Sequence, residues 1–300
     1  MTLKQLEAFY WAATCSSFAI AADKLHISQS SLSKRIAELE ASVGHVLFDR
    51  GRRRAVLTGQ GLALLPRAKA LLQHASEVAS SFQNGSLIQG RCRFGVGEIA
   101  ASSWLPKLVK HTRDRFPALA LEPYIELGAA LESDLVSGKL DAAMIARQTT
   151  HPSLESIFLA NVRYVWVAAR DAELSNRNVE DILRDFPVVT MSRDAGSTEI
   201  FTAWKSASGV SGVKLIECNS MVAMAGIIAS GIAIGYLPRG WLQPLFRSGV
   251  LEIIDSHVAL PDLEYRFYWR SDDSRPVIGK VREMVAEVVD YSTPLLMLRW

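Results

Sequence analysis

The chain of 300 residues lacks any run of apolar residues approaching the roughly 18 that a membrane-spanning helix needs. It has only three cysteines, Cys15, Cys92 and Cys218. They are odd in number and far apart, which fits neither a disulfide framework nor a metal cluster; they read as small buried apolar side chains, with a redox sensor as the alternative. Its six histidines (His26, His45, His74, His111, His151, His257) are scattered. No Gly-x-Ser-x-Gly elbow, Walker loop or His-Glu-x-x-His pair occurs. These absences point away from an enzyme and imply no cofactor and no metal. The opening MetThrLeuLysGlnLeuGlu has no apolar signal core, so a cytoplasmic location is expected.

Charge of one sign is also nearly absent in sum, at a net +2, but it is unevenly spread. Residues 1–90 carry 10 Lys and Arg against 6 Asp and Glu, and residues 91–300 carry 23 against 25. The positive excess at the N-terminal end suits a phosphate-bearing partner.

What is present begins in the first sixty residues. Leu3, Leu6, Phe9, Tyr10 and Ala13 recur at helical spacing. Ser16 and Ser17 interrupt that helix, and a short alanine-rich helix follows from Phe18, with Ala21 and Ala22 allowing close approach. Ser28 then caps a third helix, whose Leu32, Ile36, Leu39 and Val43 form one apolar stripe ended by Gly44. Its other face is polar: Gln29, Ser30, Ser31, Ser33, Lys34 and Arg35. Short hydroxyls and amides reach base edges in a major groove, while Lys34 and Arg35 suit phosphates or guanine. Residues 46–48 and 55–58 read as two strands flanking a basic turn, Arg50, Arg52, Arg53 and Arg54, whose guanidinium groups suit the backbone or minor groove. Helix, turn, helix and basic hairpin together describe a winged helix-turn-helix.

These residues carry a resemblance. Phe9, Ala21, Ala22, Leu25, Ser28, Gln29, Ser33, Ile36, Leu39, Glu40, Gly44, Leu47, Phe48, Arg50, Leu57, Thr58 and Gly61 follow, in order, the pattern of the LysR-type transcriptional regulators. Ser30 departs from it, standing where that family often has proline.

Thr58 reads as the cap of a long helix reaching about Phe82. Leu65, Ala68, Leu72, Ala75, Ala79 and Phe82 step by 3 and 4, a heptad seam broadened by Leu64, Leu71 and Val78. The alternatives are a helix paired with a second copy and one packed on its own chain; the resemblance favours a homodimer. Pro66 removes a hydrogen bond within it and is expected to bend it. Residues 83–86 read as a hinge.

From Arg91 strand-length apolar runs alternate with amphipathic stretches, which implies mostly parallel sheets covered by helices. Gly95, Gly97 and Ala100 approach a dinucleotide loop, but the third position is alanine and no ribose-binding acid follows. Three polar helix starts stand out: Ser102–Ser103, Gly196–Thr198 and Asn219–Ser220. Each offers backbone N–H groups at the positive end of a helix. Residues 138–145 and 230–238 are similar to the recurring Gly-x-Leu-Asp and Gly-Ile-x-x-Leu-Pro phrases of the same family's effector domain.

The resemblance then covers the whole chain. It implies an α/β multidomain protein: winged helix-turn-helix at 1–58, linker helix and hinge at 59–90, and a two-lobed effector domain like a periplasmic binding protein at 91–300. Lobe I would be 91–162 with 266–300, and lobe II 163–265. Carried over by position, the effector pocket would involve Glu98, Ile99, Ala100, Ser102, Ser103, Gly128, Arg147, Ser192, Ser197, Thr198, Asn219 and Ser220. Helix starts with Arg147 as counter-ion suggest a small anionic effector such as a carboxylate or an aromatic acid, and the apolar Ile99, Ala100 and Ala101, where the family is commonly rich in serine and threonine, suggest that it is partly apolar. The expected function is a promoter-binding regulator, a dimer and by resemblance a tetramer, acting on double-stranded DNA. Two alternatives are an effector-independent architectural DNA binder and a solute-binding protein or enzyme on an α/β scaffold.

Overall fold

The computed structural model describes residues 1–49, 56–81, 88–174, 176–273 and 275–292. Three helices open the chain: α1 (Leu3–Thr14), α2 (Phe18–Lys24) and α3 (Gln29–Val43). Each begins at a hydroxyl cap. Thr2 and Gln5 form a reciprocal capping box, Ser17 accepts from the Ile20 N–H at 3.2 Å, and Ser28 accepts from the Ser31 N–H at 3.1 Å. Gly44 ends α3 at φ 71°, the left-handed conformation that glycine adopts without a Cβ penalty. Leu32, Ile36 and Leu39 bury against Phe9, Ala21 and Ala22, as their spacing predicts.

Strands β1 (Phe48–Asp49) and β2 (Val56–Leu57) pair antiparallel. The buried Glu40 ties them to α3, its carboxylate accepting from the N–H groups of Leu47 (2.8 Å) and Phe48 (3.3 Å). Helix α4 (Gly59–Ser81) follows and continues across Pro66. Thr58 caps it, accepting from the Gly61 N–H at 3.1 Å. Gly61 is required there, since a Cβ would lie 2.3 Å from the Leu47 carbonyl oxygen.

The remainder contains β3 (Gly90–Val96), α5 (Glu98–Ser102), α6 (Leu105–Arg115), β4 (Leu119–Ile125), α7 (Gly128–Val136), β5 (Ala142–Ile145), β6 (Leu154–Val162) and β7 (Tyr164–Ala169). There follow α8 (Val179–Ile182), β8 (Val188–Met191), α9 (Thr198–Ser208), β9 (Leu215–Cys218), α10 (Met221–Ala229) and β10 (Ile234–Pro238). Last come α11 (Gln243–Arg247), β11 (Leu251–Ile253), β12 (Leu263–Arg270) and α12 (Pro276–Val288). They form two five-stranded sheets, β4-β3-β5-β12-β6 and β11-β7-β10-β8-β9. We call these lobe I and lobe II. The expectation of mostly parallel sheets holds only for β4-β3-β5 and β10-β8-β9; β12, β6, β7 and β11 run antiparallel. Two strands that pass back between the lobes, β7 and β12, explain the reversal: each enters its sheet without the helical crossover that a parallel neighbour needs.

Lobe II packs around stacked aromatics, with Trp166 and Trp204 centred 4.8 Å apart and Phe201 stacked on Tyr236 at 5.9 Å. Lobe I centres on Phe94, Trp104 and Phe267. The N-terminal head docks on lobe I through charge. Lys24, at the end of α2, is buried between Asp141 (3.2 Å) and Asp273 (3.5 Å) and lies 4.2 Å over the Trp11 ring. Arg275 donates to Asp141 and to Asp273, each at 2.6 Å, and Arg93 reaches Asp23 at 2.8 Å. Tyr10 donates to the Asp272 carbonyl at 2.8 Å, and Arg270 to that of Thr14 at 2.8 Å.

Candidate functional site

Two regions carry chemistry. On the head, Gln29, Ser30, Ser31, Ser33 and Lys34 are exposed along one face of α3, and Arg35 is half-buried. The Ser30 and Ser31 hydroxyls each lie 2.8 Å from that of Ser28, so the cap and the polar face share one network. The wing arginines, Arg50, Arg52, Arg53 and Arg54, lie outside the described residues. The docked head leaves this face of α3 uncovered, because the contact with lobe I uses α1 and the end of α2.

The expected seam of α4 is largely used within the chain. Ala68 is fully buried in the head core, and Leu65 and Leu72 pack against it. Ala75 lines a hollow with Tyr10, Trp11 and Arg275. The Ala79 side chain and Phe82 lie outside the described residues. A heptad stripe records that a helix has an apolar face but not which partner covers it; here α1 takes it. Leu62 and Leu71 instead stay 61% and 48% exposed, on a different side of the helix.

The second region is the cleft between the lobes. Strands β3 and β5 of lobe I and β8 of lobe II end there. A cavity of about 60 Å³ is lined by Glu98, Ile99 and Gly128 from lobe I and Ser197 from lobe II, four of the predicted residues. The remaining lining includes Glu126, Met144, Tyr164, Met191, Met221 and Tyr265. Of these, periodicity marks the methionines and tyrosines as ordinary strand or helix residues. Only the folded topology brings Tyr164 and Tyr265, about a hundred positions apart, to one wall.

The other predicted residues do different work. The Ser103 hydroxyl donates to the Ile99 carbonyl at 2.6 Å within its own turn. Ser102 accepts from the Trp241 indole N–H at 3.0 Å and so ties the lobes together. Thr198 donates to the Ser192 carbonyl at 2.7 Å. Ala100 is buried in the core, Asn219 is exposed, and the Ser192 hydroxyl is buried without a partner. Arg147, expected as a counter-ion, does not line the cavity. It stands in a separate hollow beside Thr14 and Ser16, with Nε 3.8 Å from the Glu132 carboxylate, which already supplies its opposite charge.

The third polar helix start holds an anion, and the anion belongs to the protein. The Glu98 carboxylate crosses from lobe I and accepts from the Ser220 hydroxyl (3.0 Å) and from the N–H groups of Met221 (2.5 Å) and Val222 (3.3 Å), the first turn of α10. The lobes also meet through the backbone: the Ala129 N–H donates to the Asp194 carbonyl at 3.1 Å. Gly95 and Gly97, which suggested a nucleotide loop, serve packing and turning instead. A Cβ on Gly95 would lie 2.6 Å from Leu131.

Burial raises the Cys15 and Cys92 thiols above the ordinary range, so neither is a ready thiolate. Among the described residues, no group of three His, Cys, Asp or Glu side chains is placed to hold a metal ion, and no helix is long and apolar enough to cross a membrane.

Comparison with known proteins agrees with both regions. Residues 3–62 match the bacterial regulatory helix-turn-helix of the lysR family, and residues 85–290 match the LysR substrate binding domain. The chain belongs to the LysR family of DNA-binding transcriptional regulators, each with an effector-binding domain. Relatives include the regulator YusT of Bacillus subtilis, 26% identical over 84% of each chain. AlsR of the same organism is 25% identical over 93% of each. Among solved structures, full-length OxyR of Pseudomonas aeruginosa superposes with a TM-score of 0.66 at 20% identity, covering 96% of this chain and 94% of that one. ArgP of Mycobacterium tuberculosis gives 0.65 at 21% identity, covering 95% and 96%.

Proposed function

We propose that α3 reads promoter DNA with Gln29, Ser30, Ser31 and Ser33 at base edges and Lys34, Arg35 and the wing arginines Arg50, Arg52, Arg53 and Arg54 at phosphates. The supporting observation is the uncovered polar face of a capped helix on a head already fixed to its effector domain. A small molecule entering the cleft between the lobes sets the arrangement of the heads. It does so only through different affinities for the open and closed forms. Two copies pair along α4 through the face bearing Leu62 and Leu71, and two such dimers make a tetramer. The units are 1–58, 59–90 and 91–300, and the protein works in the cytoplasm.

Fragmented genomic DNA retained by the purified protein should contain interrupted dyads beside a few promoters; uniform retention would favour an architectural binder. Replacing Ser33 or Gln29 with alanine should change which sequences are retained, at a cost of about 1–3 kcal/mol on the preferred site. Lys34→Ala should instead lower affinity for all sequences alike and reduce the slope of log K against log salt by about 0.9. A uniform loss from Ser33→Ala would contradict its reading role.

The cleft reading has its own test. Met191→Trp places an indole in the cavity. A protein-free small-molecule extract that shifts the wild-type footprint should leave the footprint of this variant unchanged while DNA binding persists. A retained response would move the effector site elsewhere.

A further inference from the structure

Glu98 stands where an effector carboxylate was expected. The first turn of α10 and Ser220 offer three donors, and all three are spent on its two oxygens. Glu98 is half-buried and belongs to the other lobe, so the bond set both fills the anion seat and pins the lobes together. The space left beyond it is small, about 60 Å³, and its charged lining is acidic: Glu98 and Glu126, with no Lys, Arg or His among the described residues that line it. The rest of the wall is mostly apolar, including Ile99, Met144 and Met191, with the hydroxyl-bearing Ser197, Tyr164 and Tyr265 among it. Tyr164 is the most deeply buried of these three. Tyr164 is 3% exposed and lines the cavity; its hydroxyl is buried beside that of Tyr265 and makes no well-formed hydrogen bond. A buried hydroxyl without a partner is costly to the folded protein and is satisfied by a ligand group that reaches it.

We propose that Glu98 is the cleft's resident anion and that the effector which enters beside it is a small uncharged or cationic molecule, not a carboxylate. The proposal rests on the reading of the cleft as the effector site. A carboxylate entering the remaining space would meet two acidic side chains and find the helix N–H groups already engaged, an uncompensated charge removed from water. An amine or amide would instead gain acidic acceptors on one side and the Tyr164 hydroxyl on another, with methionine and isoleucine against its carbon chain. Glu98 acts as a lobe latch as well, because any ligand that displaces it must replace three hydrogen bonds between the lobes.

The test uses three probes of one size that differ in charge: propionate, propionamide and propylammonium. Thermal stabilisation of the full-length protein is measured for each at constant ionic strength, with chloride as the blank. In the wild type, propionamide or propylammonium should stabilise at lower concentration than propionate. In Glu98→Ala the seat is vacated and the order should reverse, propionate acting at about one-tenth of the concentration that the wild type needs. Glu98→Gln keeps the shape and an acceptor oxygen, so it guards against a folding defect: propylammonium should weaken while propionate gains little. The proposal is overturned if propionate leads in the wild type, or if propionate is not promoted in Glu98→Ala. The Met191→Trp footprint separates the two readings. A reversed probe order together with a retained footprint response leaves the resident anion standing and moves the effector elsewhere. A failed order with a lost response discards the ligand class alone.

Discussion

Gly196→Ala should hold the two lobes apart and abolish the effector response while leaving DNA binding intact. Gly196 lies on the turn between β8 and α9, and its backbone is not in the left-handed region, so the chain itself accepts alanine. The neighbour does not. An added Cβ would lie 1.7 Å from the Ala146 carbonyl oxygen and 2.7 Å from its carbonyl carbon, on lobe I. These are backbone atoms at the end of β5 and have no rotamer in which to retreat. The lobes must separate by more than an ångström at this point, which strains the Ala129–Asp194 bond and the Glu98 contacts close by. Overpacking of this kind costs about 1–3 kcal/mol, and a shift of 1.4 kcal/mol is about tenfold in an equilibrium constant. The expected readings are a lower melting temperature, a larger radius by solution scattering, and a footprint no longer altered by the small-molecule extract. Gly97→Ala is the matched control. Gly97 is also at a cleft turn, but nothing lies within 4 Å of its added Cβ. A wild-type response in Gly196→Ala would show that closure at this contact does not transmit the signal.

How far this was legible in the sequence depends on the distance between partners. The head was readable because its devices are local: Ser28 caps the helix it precedes, Gly44 ends it, and Leu32, Ile36 and Leu39 recur on one face. The cleft turns were readable as polar helix starts for the same reason. The partner of Glu98 lies 122 residues away at Ser220, and nothing around either residue announces the other. Tyr164 and Tyr265 read as strand residues until the antiparallel return of β12 sets them side by side. Lys24 reads as a cation that complements the end of its own helix; its burial against Asp141 and Asp273 is a tertiary fact. Strand β6 is not announced by a period of two, because its burial does not alternate: it lies at the edge of its sheet, and Phe158 on it stays 48% exposed. The apolar stripe of α4 was legible, but which partner covers it was not: Ala68 is buried in the head core while Leu65 and Leu72 are only partly buried against it.

Asp141→Ala should be the most destabilising single change in the dock between head and lobe I. Asp141 is 2% exposed and lies at the foot of β5. It accepts from the Arg93 N–H at 2.7 Å and from Arg275 at 2.6 Å, and it faces Lys24 at 3.2 Å. Burial alone would raise its carboxyl, but Arg275, Lys24 and the Arg93 N–H outweigh that and hold it well below the ordinary carboxylate range. Asp273, also buried, is lowered against its own desolvation by Arg275 and Lys24. Removing one partner of such a set leaves buried cations uncompensated, a loss of about 3–5 kcal/mol. Urea unfolding at neutral pH measures it, and a change below about 0.5 kcal/mol, the range of ordinary surface substitutions, would mean that the cluster is solvated. The sign with pH follows from the depressed carboxyls. Their contribution is complete above the unfolded value of about 3.9 and drains away as pH falls below it. The dock should therefore hold at pH 5 and weaken below about 4, and in Asp141→Ala the acid dependence should flatten. The same strand explains why this matters for signalling. β5 begins beside Asp141, at the dock, and ends at Ile145 and Ala146, on the cleft; β3 likewise runs from Arg93 to the turn that carries Glu98. At about 3.3 Å per residue, four residues of strand separate the two sites by roughly 13 Å. A rigid strand tied to Lys24 at one end and closed over by Gly196 at the other moves the head with the lobe, so a protein that has lost Asp141 should still close on its effector yet fail to pass the closure to DNA.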